Sequence, residues 1–190
     1  MAVLKFYSNH PELGFLSNFY PCILSDPPYV FGSVEAFFQA GKYMNRGDGE
    51  ATRIVTEKFS GLHVTAAQAK KRGGKRGIRM TEEEMNEWVQ GGRRVEVMRK
   101  ALRLKFQDPE LRRALLATGD NILVESLPRF PDNFWGTKKD GSGTNMLGRL
   151  LMEERDRIRR HASTGEDEDD DSHARSSRSR SRSRSPVPTA

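Results

Sequence analysis

The sequence is poor in the residues that cross-link a chain. Cys22 is the only cysteine among 190 residues, so no disulfide can close within the chain, and a reducing compartment fits it. The histidines, at 10, 63, 161 and 173, are scattered and form no metal-ligand spacing, so neither a metal nor a cofactor is expected. Long apolar runs are missing as well. The amino-terminal "MAVLKFYSNH" lacks the apolar core of a signal peptide, and no stretch is long enough to span a membrane. A soluble protein of the cytoplasm or nucleus is the expectation. Large apolar side chains run out after residue 160, where the chain reads "HASTGEDEDDDSHARSSRSRSRSRSPVPTA". Such a segment cannot bury enough apolar surface to offset its ordering entropy. Residues 161–190 are therefore expected to be a disordered tail, acidic and then Arg-Ser-rich.

What remains, residues 1–160, is the length of one ordinary domain. The tail holds five arginines and six acids, which leaves 27 basic and 20 acidic residues in the domain, a net +7. A basic domain favours an anionic partner: a phosphate, a nucleotide or nucleic acid. The Arg-Ser dipeptides are phosphorylation targets, and phosphate reverses their local charge. The tail thus reads as an address or interaction segment, with kinases or RNA-processing factors as its candidate partners.

Along the domain, "LKFYS" (4–8) reads as a strand, and "CILSDPPYVFGS" as two strand fragments around a Pro27-Pro28 turn. Ser33 caps a predicted helix from Val34 to about Met44. One or two helices follow through 50–71, and the glycine-rich basic run "KKRGGKRGIR" (70–79) reads as a mobile connection. Thr81 with Glu84 makes a capping box for a helix containing Met85, Trp88 and Val89, interrupted by Gly91-Gly92. A further helix carries Val95 to Phe106. "QDPELRRALLATG" predicts another, with Asp108 as cap, Pro109 in the first turn and Gly119 as the stop. "NILVES" is a short strand, "LPRFPDNFWGTKKDGSGTN" a long irregular loop, and "MLGRLLMEERDRIRR" a closing helix. The pattern gives an α+β fold: a mainly helical, compact single domain with a few short strands.

Three places can carry chemistry. In "GSVEAFFQAGK" (32–42), Glu35, Gln39 and Lys42 fall within roughly 60° of one another on a helix, while Val34, Phe37, Phe38, Ala40, Gly41 and Met44 fill most of the remaining circumference. A helix apolar on nearly every side is packed on nearly every side. The polar stripe then either faces solvent as a narrow strip or lines an internal cavity. In the long loop, Asp132, Trp135, three glycines (136, 141 and 143) and Asn145 precede a helix. Glycines there allow close approach to a ligand, and the helix start at Thr144 or Asn145 leaves N–H groups that suit a phosphate. The plainer alternative is a cap and a core anchor. Trp88 is a third candidate, with core packing the commoner fate of an indole. The run 70–79 can meet phosphate, but it has no interleaved aromatics for stacking on bases.

These stretches together resemble the NADAR family, named for NAD and ADP-ribose. The likeness runs from "FYS" and "LSNFYPC" through "SVEAFFQAGK", "W", "VMRKALRLKF", "ELRRALLATGDNILVE" and "DNFWG" to "GSGTNMLGRLLMEER", or about residues 5–158. It implies hydrolysis of the bond between ribose C1 and a base nitrogen. The implied substrate is a phosphorylated, nucleotide-like molecule: riboflavin-biosynthesis intermediates, or ADP-ribosylated guanine in nucleic acid. On that resemblance Glu35, Asp132 and Lys42 are the catalytic candidates. Asn18, Gln39, Trp88, Trp135, Gly136, Asn145 and Gly148 are the candidates for binding substrate. Two positions depart from the family pattern. Ala36 stands where a histidine usually follows the glutamate, and Lys138 replaces the second glycine of W-G-x-G.

The implied chemistry develops positive charge on the sugar, which a nearby carboxylate stabilises while accepting a proton from water. Glu35 takes that role, with Asp132 orienting ribose hydroxyls or sharing the acid–base work. Lys42 either neutralises phosphate or attacks C1 as an amine. The rival readings are a module that binds ADP-ribose without cleaving it and, from the tail, a nuclear RNA-processing factor.

Overall fold

A computed structural model describes residues 1–47, 49–126 and 132–164. Residues 127–131, the start of the long loop, and 165–190, most of the expected tail, lie outside the described part. The architecture is the α+β, mainly helical domain that the sequence indicates. Among the described residues, no helix is long and apolar enough to cross a membrane.

The fold is organised around α1 (Val34–Gly41), and all eight of its residues are buried. Ser33, in extended backbone, starts it: the Ser33 Oγ accepts the Ala36 N–H at 3.1 Å. Helices α2 (Glu50–Lys58), α3 (Ala66–Gly73) and α5 (Arg93–Lys105) pack around α1, together with strand β3 (Tyr29–Phe31). Gly41 admits α5 closely, since a Cβ there would lie 2.5 Å from Val97 Cγ1. The helix stops at Gly41, short of the expected Met44, and turns through Tyr43, whose hydroxyl donates to the Ile78 carbonyl.

Two small sheets flank the helices. β2 (Leu24–Asp26) and β3 are antiparallel around Pro27-Pro28, as expected. β1 (Val3–Phe6) pairs in parallel with β4 (Ile122–Glu125), in register from Val3↔Ile122 to Phe6↔Glu125. The caps of α4 (Glu82–Val89) and α6 (Pro109–Ala117) form as read: Thr81 and Glu84 exchange both capping-box bonds, and Asp108 Oδ1 accepts from the Glu110 and Leu111 N–H groups. α7 (Met146–Thr164) lies on β4, tied to the α6–β4 connection by Arg155, which donates to Thr118 Oγ1 and the Asn121 carbonyl. It runs past the boundary expected after residue 160.

The run 70–79, expected to be a connection, is partly helical and hydrogen-bonded to its neighbours. Lys70 to Gly73 form the last turn of α3. The Arg72 carbonyl accepts from the Ile78 N–H, and the carbonyls of Gly73, Ile78 and Arg79 accept from Lys42, Tyr43 and Arg46. Its glycines let the chain fold tightly over α1, and its backbone carbonyls bind neighbouring side chains.

Close packing of α7 on β4 requires Gly148, where a Cβ would lie 2.1 Å from the Leu123 carbonyl oxygen and 2.6 Å from the Asn145 amide. Gly148→Ala is expected to lower unfolding stability by about 2–4 kcal/mol in urea titration. Gly47→Ala, with nothing near its Cβ, should stay within about 0.5 kcal/mol of the parent. Equal stability of the two variants would mean that α7 does not sit on β4 this tightly.

Candidate active site

The polar stripe of α1 faces inward. Glu35 and Gln39 are each only 6% exposed, and Lys42 is half-buried. Gln39 Nε2 donates to Glu35 Oε1 at 2.8 Å, across one helical turn. Lys42 Nζ donates to the Gly73 carbonyl at 2.7 Å. Burial pushes the Glu35 carboxyl above its ordinary range, against the pull of the Gln39 hydrogen bond and the charges of Lys70 and Lys42, with Asp132 adding to the rise. Burial likewise lowers the Lys42 ammonium, opposed by Glu35 and reinforced by Lys70.

The segment before β2 brings Asn18 beside this pair. The Asn18 carbonyl accepts the Glu35 N–H at 3.0 Å, and its side-chain Oδ1 is buried without a hydrogen-bond partner. Lys105, fully buried on α5, donates to the Ser17 carbonyl and fixes this segment; burial pushes its amine down to about 8. Lys70 Nζ sits 5.1 Å from the centre of the Phe19 ring, on the same side.

The described part of the late loop closes the other side. Exposed Asp132 accepts at Oδ1 from the Phe134 and Trp135 N–H groups. Trp135, half-buried, meets Phe38 of α1 edge-on at 5.3 Å, and buried Trp88 meets the same ring at 5.1 Å. The two indoles therefore flank Phe38, next to Gln39 in the chain and three residues along α1 from Glu35.

The helix start after the loop is not an open anion site. The N–H groups of Met146 and Leu147 are taken by the carbonyls of Phe134 and Trp135 at 3.0 Å each. The Asn145 side chain spans β4 instead, donating to the Leu123 carbonyl and accepting the Glu125 N–H. The loop glycines serve its own packing: a Cβ on Gly136 would lie 2.9 Å from the Glu125 carbonyl oxygen, and one on Gly143 would lie 2.6 Å from that of Gly136. The two departures from the family pattern sit apart from the acids' polar contacts: Ala36 is sealed in the core, and Lys138 is exposed on a turn closed by the Gly141 N–H.

Gly136, Thr137 and Asn145 converge on a residue not singled out from the sequence, while Gly148 packs on Leu123 and Asn145. Glu125, at the carboxyl end of β4, is 7% exposed. Burial, with the charges of Asp132 and Glu35 adding and Lys70 opposing, pushes its carboxyl from an ordinary 4.5 to about 7. A signal was present: in "ILVE" the strand alternation puts Glu125 on the face of Leu123, the buried one. The site thus holds two buried carboxyls, two amines and two unpartnered amide oxygens, those of Asn18 and Gln39, a set suited to moving protons at a polar bond. Among the described residues, no group of three or more His, Cys, Asp or Glu is placed to hold a metal.

Comparison with known proteins identifies the family of the fold. The NADAR domain family matches residues 5–159, and the chain belongs to that family. It is 34% identical to the N-glycosidase YbiA of Escherichia coli over 83% of this chain and 89% of that protein. It is 33% identical to a riboflavin biosynthesis protein of Vibrio vulnificus over 84% of this chain, but spans only 39% of that longer protein. The NMR structure of E. coli YbiA superposes with a TM-score of 0.68 at 30% identity, covering 85% of this chain and 88% of the other. The relatives named N-glycosidase are hydrolases by that name.

The Glu125 environment has a consequence for stability. Between pH 4.5 and 7 the folded chain holds a proton at Glu125 that the unfolded chain has released, so stability falls as pH rises through that window. The loss amounts to roughly 3 kcal/mol for the shift from 4.5 to about 7. Glu125→Gln is expected to flatten this dependence and to be the more stable form at pH 8, measured by urea unfolding at pH 5 and 8. Parallel pH profiles for the two proteins would contradict it.

Proposed function

We propose that this protein is an N-glycosidase that hydrolyses the bond between ribose C1 and a base nitrogen. Its substrates are riboflavin-biosynthesis intermediates, ribosylamino-pyrimidine 5'-phosphates. The observation that carries this reading is the buried Glu35 carboxyl, held by Gln39 on a helix packed on every side and faced by two amines. The names of the relatives, N-glycosidase and riboflavin biosynthesis protein, support the reaction and the substrate class.

As the C–N bond lengthens, the sugar becomes cationic, and a carboxylate in a dry site stabilises that charge more than water would. Glu35 supplies it and accepts the proton of the attacking water. The free Asn18 Oδ1 accepts a hydrogen bond from a ribose hydroxyl, so the substrate fills a hydrogen bond that the protein leaves open. Lys42 and Lys70 draw in the phosphate. Asp132 orients ribose from the rim, and Trp135, braced by Phe38 with Trp88 against the same ring, walls the base side. Burial lowers the Lys42 ammonium, while the facing Glu35 opposes that pull and the Gly73 carbonyl takes one of its protons in a hydrogen bond. The net charge of +7 on residues 1–160 favours one further substrate, ADP-ribosylated guanine in nucleic acid.

Glu35→Gln keeps the shape and removes the charge. It is expected to slow base release about 10²- to 10⁴-fold, followed by mass spectrometry with a ribosylamino-pyrimidine 5'-phosphate and an ADP-ribosylated guanine oligonucleotide side by side. Equal rates in parent and variant would remove Glu35 from the chemistry. The water route also predicts no covalent adduct when borohydride is added during turnover. A ribosyl adduct on Lys42 would establish the amine route instead.

A further inference from the structure

We infer that Glu125 is the general acid of this site, the group that protonates the departing base, while Glu35 remains the carboxylate. This rests on the N-glycosidase reading above and names the residue that completes it.

The backbone of Glu125 is held from every side. Its N–H donates to Asn145 Oδ1 at 3.0 Å, and its carbonyl accepts from the Thr137 N–H at 2.8 Å and Thr137 Oγ1 at 3.1 Å. Gly136 lies against the same carbonyl, and β1 pairs along the strand. By contrast, its carboxyl has no hydrogen-bond or ion-pair partner among the described residues, although the side chain is buried. The carboxyl oxygens are not among the fully enclosed unpartnered atoms, so the fold anchors the strand firmly and leaves its acid head open to a partner from outside. The charges facing that head are Asp132 on the late loop, Lys70 on α3 and Glu35 on α1. Lys5 of β1 and Arg149 of α7 line a separate groove with Val124, whose side chain lies on the opposite face of the strand.

The division of roles follows from the donors. Two buried carboxyls that feel each other's charge, as Glu125 feels Glu35, resist ionising at once, and the proton stays where the anion is less supported. Glu35 has the Gln39 amide and the charges of Lys42 and Lys70, whereas Glu125 has only Lys70. In the reaction, the Glu125 proton passes to the base nitrogen, which takes the electron pair of the breaking C1–N bond. Water forms the new C1–O bond and gives its proton to Glu35, and exchange with solvent returns the proton to Glu125. The sum is one water added across one bond.

The test compares Glu125→Gln with the parent on a ribosylamino-pyrimidine 5'-phosphate and on 4-nitrophenyl ribofuranoside 5-phosphate, whose leaving group departs as an anion and needs no proton. On the pyrimidine substrate the variant is expected to be slower by about 10²- to 10⁴-fold. On the nitrophenyl substrate it should stay near the parent rate, which also reports that it is folded. The parent should lose pyrimidine-releasing activity as pH rises through about 7, and the variant should lack that limb. Equal slowing on both substrates, or an unchanged alkaline limb in the variant, overturns the assignment alone. A parent that releases no base from either substrate overturns the N-glycosidase reading and the assignment with it.

Discussion

A carboxyl kept dry on a helix that has no solvent-facing side is the constraint on which the rest depends. Water would hold the Glu35 charge cheaply, and the protein must replace it with one amide, two amines and oriented backbone. Each replacement comes from a different element. Gln39 lies one turn along α1, Lys42 at the end of the same helix, and Lys70 on α3. The carbonyl that accepts the Glu35 N–H belongs to Asn18, whose segment is moored by a fully buried lysine of α5. Placing one acid inside the core therefore recruits three helices and the strand-preceding segment into a common wall.

The second half of the site is one hydrogen-bonded unit. The loop carbonyls of Phe134 and Trp135 cap α7, Asn145 stitches that helix to β4, and Thr137 grips the last residue of the strand. Gly136 and Gly148 are small because backbone passes directly over them. A motif that reads in sequence as a ligand-gripping loop is built here as a socket for Glu125.

That difference marks where the sequence is legible. Local signals carried through: Ser33, Thr81 with Glu84, and Asp108 start their helices as their side-chain chemistry dictates. The stripe of Glu35, Gln39 and Lys42 also emerged from helical periodicity, though only packing decided that it faces inward. Long-range bonds were not legible. Nothing in "KKRGGKRGIR" says that its carbonyls accept from α1 and the turn after it. Nothing near Asn145 says that its amide is spent on β4. Glu125 was within reach through strand alternation, but its four-residue strand gives a weak period beside the strong helical ones.

The pairing of β1 with β4 has a kinetic side. The strand that positions Glu125 finds its partner in residues 3–6, at the opposite end of the domain in chain order. Closing so distant a contact requires the intervening helices to be in place or in motion, which raises contact order and slows folding. During synthesis the first strand leaves the ribosome long before its mate exists, and it waits with an open edge. The acid at the end of β4 is thus among the last groups to find its final surroundings, after most of the helical shell has been made.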